Sequence, residues 1–488
     1  MNLYGQDSWQ SRRISYENNE LKYNPDEKGN TIPDFGRVGY HEGGKIPNVR
    51  VVKEVSPGNG DDFQRIQDAI NRVESFLPDE NGFRGAVLLK NGLYEVSQTL
   101  IIRKSGVVLR GENKDKTVLK ATKKAKYNLI EIQGTGDLIM DEKSKKTIHQ
   151  KYVPVGAKKL VLASTDGLQN GNSIIVYRPG TKKWLHDLKM DQIEDNLNLR
   201  QWTEDNYDLL YERKIEKISG DTIQTDYPVV MAMEEKYGGG SVYRYDFKGR
   251  ISECGIENLY LKSTYENETD ENHAWIAIKL VKAQNCWIKN VTARFFGYSC
   301  VSVANNSRNI TVTDCNCLDP KSEIIGGRRY AFECDGQLNL FKRCFSTYGR
   351  HDFVTGRKVC GPNVFTQCEA VNSQSDIGPH HRWATGTLYD VIKTDRSISV
   401  QDRGNYGTGH GWAGANQVFW NCKAKTITAQ NPWVSAKNYV IGGTATKLLG
   451  RFPDRPDGNW EGLNRGTLKP ESLYEAQKKA CILKNQEH

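Results

Sequence analysis

Short runs of apolar residues, separated by polar residues and glycine, dominate the chain after its first eighty residues. Examples are Ala86–Leu89, Tyr94–Val96, Leu100–Ile102 and Val107–Leu109. Strands this short and this evenly spaced, without helices between them, are typical of a sandwich, a barrel or a β-solenoid. The pattern therefore predicts an all-β protein.

A four-residue pattern in the second half of the chain decides among these folds. It consists of an apolar residue, any residue, a polar residue and then a cysteine or an aliphatic residue, and it ends at Leu259, Val291, Cys315, Cys344, Cys368 and Cys422. The spacings are 32, 24, 29, 24 and 54 residues, and 54 is about two coils of 27. Such a period predicts a parallel β-helix. The four cysteines are then expected to stack along an inner wall as small hydrophobic residues.

Three further segments complete the predicted organisation. Residues 61–77 place Phe63, Ile66, Ile70 and Val73 on one helical face, with Asp61 or Asp62 as the N-cap, and this helix is expected to cover the open end of the solenoid. The predicted parts are an extended lead-in over 1–60, a single β-helix domain over 61–470, an insertion with one or two helices over 178–245, and a C-terminal helix over 471–488. Ser472 and Glu475 form a capping box for that last helix, which is a second candidate cover.

Composition and charge narrow the classes of function. With 37% hydrophobic and 26% charged residues the chain is neither disordered nor fibrous, and no apolar run is long enough to span a membrane. The net charge of +9 suits an anionic partner, and no nucleic-acid-binding motif is visible. The 11 cysteines contain no C-x-x-C pair, which argues against structural zinc. We expect a secreted or periplasmic protein whose signal peptide is not in this chain.

Three passages of the N-terminal half resemble the pectate-lyase-like superfamily of right-handed parallel β-helix proteins. They are Gly39–Pro47, Gly58–Ile70 and Gly92–Gly111. The resemblance implies an entry segment, a capping helix and the first coils, in that order. The passage Gly378–Trp383 is similar to secreted lyases of glycan-degrading bacteria. The superfamily also includes hydrolases, epimerases and phage tailspikes, so the resemblance implies the fold more specifically than the reaction.

Four of the nine histidines fall within sixty residues. The aromatic residues Phe332, Phe353, Trp383 and Trp412 are spaced 21, 30 and 29 residues apart, which suggests that they repeat in successive coils. Two residues before each of them stand Tyr330, His351, His381 and His410. Arg329, Arg350 and His380 stand three residues before the first three, and Arg382 stands directly before Trp383. If the coils align in this way, they present a strip of Arg, Tyr and His on one face.

Such a strip suits β-elimination from a uronic-acid glycan. The proton at C5 is weakly acidic, so cations must neutralise the neighbouring carboxylate while a base removes the proton and an acid meets the leaving oxygen. The expected catalytic residues are His381, His351, Tyr330, Arg382 and Arg350. The expected substrate-binding residues are Arg329, His380, His410, Trp383 and Trp412. His381 is favoured as the base because Gly378 and Pro379 would fix its loop. The sequence thus predicts a polysaccharide lyase with an acidic polysaccharide as its partner.

Two other functions remain open at this point. Glu333 and Asp352 lie in neighbouring coils of the alignment and could flank a glycosidic bond, as the paired carboxylates of a glycoside hydrolase or transglycosylase do. A non-catalytic glycan-binding protein is the other alternative. No cofactor is required by the motifs. Calcium is the one cofactor considered, because some β-helix lyases use it to neutralise the substrate.

Overall fold

The computed structural model describes residues 8–17, 20–194 and 199–486. The first part of the chain contains strands β1 (Ser8–Gln10), β2 (Ile14–Glu17), β3 (Glu20–Tyr23) and β4 (Val51–Val55), helix α1 (Phe63–Glu74), and strands β5 (Gly85–Leu89), β6 (Gly92–Val96), β7 (Leu100–Ile102), β8 (Val107–Gly111), β9 (Thr117–Ala121) and β10 (Tyr127–Gln133). The inserted segment contains β11 (Ile139–Thr147), β12 (Tyr152–Val153), β13 (Lys159–Val161), β14 (Ser173–Arg178), helix α2 (Lys182–Asp187), a 3-10 turn (Glu204–Asn206), β15 (Leu209–Ser219), β16 (Thr222–Thr225), β17 (Met233–Glu234), a second 3-10 turn (Glu235–Tyr237) and β18 (Ser241–Asp246).

In the rest of the described chain the regular elements are all strands except for one C-terminal helix. It contains β19 (Ile251–Ser252), β20 (Gly255–Ser263), β21 (Ala274–Val281), β22 (Ala283–Arg294), β23 (Ser299–Val303), β24 (Arg308–Thr313), β25 (Asn316–Leu318), β26 (Tyr330–Cys334), β27 (Leu340–Lys342), β28 (Phe345–Thr347), β29 (His351–Thr355), β30 (Cys360–Thr366), β31 (Glu369–Val371), β32 (Asp376–Pro379), β33 (Ala384–Asp390), β34 (Lys393–Thr394), β35 (Ser397–Val400), β36 (Gly414–Ala415), β37 (Val418–Trp420), β38 (Lys423–Ala429), β39 (Tyr439–Ile441), β40 (Thr444–Lys447), β41 (Asn459–Glu461), β42 (Thr467–Lys469) and helix α3 (Leu473–Gln486).

Parallel pairing between successive coils produces three ladders. Ladder one joins β4, β5, β8, β20, β22, β24, β27, β30, β33, β37, β39 and β41. Ladder two joins β6, β9, β20, β22, β25, β28, β31, β34 and β38, and ladder three joins β7, β10, β21, β23, β26, β29, β32, β35 and β38. The predicted all-β fold, a parallel β-helix, is confirmed.

The interior is built from columns of residues in register. In ladder one the column contains Ile256, Ile288, Val312, Phe341, Phe365, Tyr389 and Phe419. Its aromatic rings stack, with 4.7 Å between the centroids of Phe341 and Phe365. A second inner column consists of the residues that directly precede the strands of ladder two. It contains Cys315, Cys344, Cys368, Ile392 and Cys422. These four cysteines are buried and all eleven in the chain are free, as predicted for small hydrophobic residues.

Helix α1 covers the N-terminal end of the solenoid. Ile66, Ile70 and Val73 are fully buried on one face, and the helix contacts β7, β4 and β5. Asp62 occupies the N-cap position, but the first helical N–H, that of Phe63, donates to the Asp61 carboxylate at 3.1 Å. The periodicity therefore predicted both the helix and its buried face.

Helix α3 and the lead-in cover the outer face of ladder one rather than an end of the solenoid. That face carries the apolar column Leu340, Val364, Leu388 and Val418, which packs against residues of both terminal segments, among them Phe35, Val38, Leu473 and Tyr474. The Glu475 N–H donates to Ser472 Oγ at 3.1 Å, which agrees with the predicted start of the helix. The expectation that α3 covers an open end was wrong.

The insertion differs in extent and content from the predicted helical segment over 178–245. It runs from β11 to β18, and most of it is a six-stranded antiparallel sheet in the order β11-β18-β14-β15-β16-β13. In the described part of the insertion the only α-helix is the six-residue α2. The sequence placed its start too late because β13 and β14 are short apolar runs like those of the solenoid.

Across the described ranges, none of the helices combines the length and the apolar character needed to cross a bilayer.

Candidate functional site

Five aromatic rings lie together beside ladder three. They belong to Tyr330, His351, His380, His381 and His410, and we call them the histidine cluster. Their centroids are 5.1 Å apart for Tyr330 and His351, 4.5 Å for His351 and His380, and 5.0 Å for His381 and His410. The ring of His380 lies at the centre, 5.2 Å from that of His381 and 5.0 Å from that of His410. The structure thus brings all four histidines of the predicted strip into one site.

Four successive coils deliver these side chains. Tyr330 and His351 are the first residues of β26 and β29 and are direct partners in ladder three. His380 and His381 follow directly after β32, and the His380 N–H donates to the Thr355 carbonyl at 2.8 Å. His410 comes from the loop between β35 and β36. The site therefore combines residues at the start of two ladder-three strands with residues that follow the next two strands.

The predicted alignment of the four aromatic residues is correct for Phe332 with Phe353 and for Trp383 with Trp412, but it is wrong for Phe353 with Trp383. Phe332 pairs with Phe353, and the Trp383 N–H donates to the Trp412 carbonyl at 2.9 Å. Phe353 and Trp383 are not partners, because Val354 pairs with Gly378 and the chain leaves the ladder after Pro379. The extra residues of this exit loop were counted as strand in the alignment.

His351 has one defined tautomer in its neutral form. Its Nδ1 is 2.7 Å from the backbone carbonyl of Asp376. Because a carbonyl oxygen only accepts, Nδ1 carries the proton and Nε2 keeps a lone pair. That Nε2 atom is buried and has no hydrogen-bond partner within the described structure. His351 is therefore equipped as a proton acceptor.

The imidazoles of the cluster are held in the neutral form. Burial, followed by His410 and then by nearby arginines, lowers the pKa of His381 to about 3. Burial, followed by the charges of nearby arginines, lowers the pKa of His410 to about 4. Burial also lowers the pKa of His351 to about 4, although Asp376 works against the shift, and it lowers the pKa of His380 strongly. All four side chains are consequently bases rather than cations at neutral pH.

Several polar atoms of the site are buried and lack a partner among the described residues. They are Nδ1 of His380, His381 and His410, together with Arg350 Nη1 and Arg403 Nε. Buried polar groups are nearly always hydrogen-bonded in proteins, so an unpaired group calls for a cause. A polar ligand held among these side chains is such a cause.

Tyr330 keeps its proton at neutral pH. Its hydroxyl lies 3.1 Å from His380 Nε2, and burial raises its pKa above the ordinary value while Arg350 beside it works against the rise. A protonated phenol next to neutral imidazoles can serve as a general acid.

The arginines of the predicted strip have three different surroundings. Arg350 is half-buried at the cluster with one unpaired nitrogen. Arg382 is also half-buried, but its guanidinium donates to the carbonyls of Thr408 and Gly409 and so holds the loop that carries His410. Arg329 donates to the Ser322 and Glu268 carbonyls away from the cluster, which contradicts its expected contact with substrate.

The two tryptophans lie under the insertion. Trp383 and Trp412 are fully buried, the Trp383 ring is 5.0 Å from that of Trp184, and Trp412 Nε1 donates to the Leu188 carbonyl. Their expected role in substrate binding was wrong, because no face of either ring is open. They join the solenoid to the insertion instead.

The carboxylates also differ from the sequence-based pair. Asp352 is fully buried, and its two oxygens accept hydrogen bonds from Ser346 and Ser373, so it is a structural residue of the coil. Glu333 is half-buried and accepts hydrogen bonds from the hydroxyls of Tyr298 and Ser302. Two residues further along the chain, burial and the charge of Glu333 raise the pKa of Asp335 to about 8. For the hydrolase alternative, the structure therefore favours Glu333 with Asp335 over Glu333 with Asp352 as the carboxyl pair.

The sequence missed one ion pair of the site. Arg403 forms a salt bridge with Asp376, and its charge contributes to the low pKa of every histidine in the cluster. Burial alone would raise the pKa of Asp376, but Arg403 and His351 bring it below its ordinary value. Arg403 lies in a glycine-rich loop without strand periodicity, and no coil repeat pointed to it.

No group of three or more His, Cys, Asp or Glu residues is arranged to hold a metal ion in the part of the chain that the structure describes.

Comparisons with known proteins give only remote matches. No family model and no curated protein matches the chain. Among solved structures, the HK620 tailspike of an E. coli bacteriophage, in complex with a pentasaccharide, has a TM-score of 0.44 at 9% identity over 87% of this chain and 63% of its own. Polygalacturonase from Erwinia carotovora has a TM-score of 0.39 at 10% identity over 88% and 100% of the two chains. ORF18 of Geobacillus virus E2 has a TM-score of 0.37 at 13% identity over 82% of this chain, which spans 59% of that protein.

Proposed function

We propose that this chain is a polysaccharide lyase that cleaves a uronic-acid glycan by β-elimination. The observation that supports the proposal is the histidine cluster, where neutral imidazoles, a protonated phenol and an unpaired arginine nitrogen lie within contact of one another. These are the base, the acid and the carboxylate partner that elimination needs.

His381 is the proposed base. It is half-buried, so a sugar can reach it, and its pKa near 3 leaves a lone pair free at neutral pH. His351 is the second candidate, because its tautomer presents Nε2 as an acceptor, but it is only 1% exposed. In either case the positive charges of nearby arginines lower the pKa of the base and so favour its neutral form.

The reaction needs no atom beyond these groups and the substrate. Arg350 binds the uronate carboxylate, with the Arg403 charge behind it. The imidazole takes the C5 proton, the C–H electron pair forms the C4–C5 double bond, and the C4–O bond breaks. Tyr330 gives its proton to the leaving oxygen.

Since arginines supply the positive charge in this reaction, we expect the lyase activity to persist in EDTA. Loss of activity on chelation and its return with calcium would show a metal requirement.

A glycoside hydrolase is the second candidate, and one observation favours it. Asp335 holds a proton near neutral pH beside the Glu333 carboxylate, as a general acid and its partner do in glycosidases.

Incubation of the protein with polygalacturonate, alginate and hyaluronan distinguishes the three functions. Elimination creates a conjugated unsaturated uronate that absorbs in the ultraviolet, hydrolysis releases reducing ends without that absorbance, and a non-catalytic protein binds without product.

A further inference from the structure

A second group of aromatic side chains continues the line of the histidine cluster toward the N-terminal coils. Trp275 lies in β21, and Tyr298 directly precedes β23 in the next coil. The Tyr298 N–H donates to the Trp275 carbonyl at 2.8 Å. Their rings are nearly parallel, with an interplanar angle of 21° and centroids 6.2 Å apart. The Tyr298 ring is in turn 5.1 Å from that of Tyr330. The rings thus lead without a gap from Trp275 into the proposed reactive site.

The surroundings of Trp275 leave its indole half-exposed on a flat support. Gly297 lies against the ring, and a Cβ at that position would overlap the indole atoms. The glycine therefore lets the ring lie on the backbone of the next coil. Flat aromatic rings at the surface are suited to the apolar face of a pyranose.

One cation lies over this ring, and a second cation shares its acidic partner. Lys126 Nζ lies 4.2 Å from the Trp275 centroid and 2.7 Å from Glu271. Arg328 Nε is 2.6 Å from the other oxygen of Glu271. The lysine side chain is 48% exposed, so it can move to a carboxylate of a bound sugar without leaving a buried charge.

We propose that Trp275, Tyr298, Lys126 and Arg328 form a binding subsite for an acidic sugar unit of the glycan. Trp275 and Tyr298 contact the ring of the sugar, and Lys126 and Arg328 pair with its carboxylate in exchange for Glu271. The inference rests on the proposed function, since it makes the subsite an extension of the same glycan path across the coils.

Binding without turnover tests the subsite. The His381→Ala protein is run through native gels containing polygalacturonate, alginate or hyaluronan, and retardation gives the affinity. Adding Trp275→Ala should weaken binding about three- to tenfold, the range expected for one aromatic contact. Trp460→Ala is the matched control, because Trp460 also carries a lysine, Lys447, at 4.7 Å but lies in the last coils. It should bind as the parent does.

Glu271→Gln gives a second test in the opposite direction. It frees Lys126 and Arg328 from their acidic partner, so retardation should increase at low salt. The proposal is overturned if Trp275→Ala binds as the parent does, if Glu271→Gln fails to strengthen binding, or if none of the three polymers retards the parent. Because the readout is binding, the two proposals can fail separately: if the parent binds in this way while the wild type forms no unsaturated product, the lyase is refuted and the subsite is not.

Discussion

At each corner between ladders one and two a single residue has a left-handed backbone. The φ angles are 55° at Asn258, 56° at Asn290, 57° at Asp314 and 51° at Asn421. Asn and Asp tolerate this region better than other residues with a side chain. Asn or Asp thus occupies four of the six polar positions of the repeating pattern, whereas Arg343 and Gln367 adopt φ angles of 51° and 54° at the other two. The apolar or cysteine residue that follows each position points inward.

Val391 occupies the same corner with a φ of 54°, although a branched side chain is unfavourable there. We expect Val391→Asn to raise the free energy of unfolding by about 1 kcal/mol, and Asn290→Val to lower it by a similar amount. Urea denaturation of the two variants measures both effects. Equal stability of wild type and both variants would show that the corner conformation does not select the residue.

The low pKa of His351 predicts a loss of stability in acid. Its pKa is about 4 in the folded protein and 6.5 ordinarily, so the unfolded chain binds more protons between these values. The free energy of unfolding should therefore fall as the pH drops from 6.5 to about 4, by up to roughly 3 kcal/mol for this one group. Denaturant curves at both pH values should show a smaller fall for His351→Gln than for wild type. His186→Gln, at an exposed position on α2, is the control and should behave as wild type; equal falls in all three proteins would contradict the account.

At the scale of elements, the sequence predicted the number of coils and their inner-wall residues best. The spacing of 54 residues was interpreted as two coils, and the structure places Ile392 in the coil between Cys368 and Cys422. The prediction succeeded because inner-wall residues must be small or apolar in every coil. The predicted alignment of Trp383 with Phe353 was wrong because loops between strands vary freely in length. Arg403 and Asp335 lie in such loops or at their edges, so no period could reveal them.

The cysteine column gives a test of the solenoid at this scale. Cys315, Cys344 and Cys368 are at most 1% exposed, and burial raises the pKa of Cys315 to about 12. We expect a thiol reagent to leave all three unmodified in the folded protein, with labelling confined to the half-buried Cys360 and Cys481. Mass spectrometry after brief labelling identifies the sites. Rapid modification of the three column cysteines, before unfolding is detected, would contradict the observed packing.

The whole molecule combines a solenoid with an insertion that lies against it near the site. The insertion buries Trp383 and contacts the loop of His410, where the Trp202 indole N–H donates to the Gly409 carbonyl at 3.2 Å. Sequence analysis grouped the histidines into one strip but assigned Trp383 and Trp412 to substrate binding, because it could not place the insertion. Under the proposed function, a glycan would approach on the side where His381 and Arg350 are only half-buried.

The proposed binding of an acidic glycan should depend on salt, because the net charge of the chain is +9. Screening shortens the range of charge interactions from about 30 Å at 0.01 M to about 8 Å at 0.15 M ionic strength. We expect the affinity of the His381→Ala protein for a polyanionic substrate to fall steadily over this range, as measured by retardation in gels. An affinity that does not change with salt would favour a neutral glycan and the hydrolase.

Product formation by site variants tests the central claim most directly. On a uronate glycan that the wild type cleaves, ultraviolet absorbance should appear with the wild type and with Glu333→Gln and Asp335→Asn. His381→Ala should lower kcat by about 10²- to 10⁴-fold, the usual contribution of a general base, while the fold is retained. If His381→Ala and His351→Ala both keep near-full activity while Glu333→Gln and Asp335→Asn are inactive, the histidine cluster is not the reactive site and the carboxyl pair is.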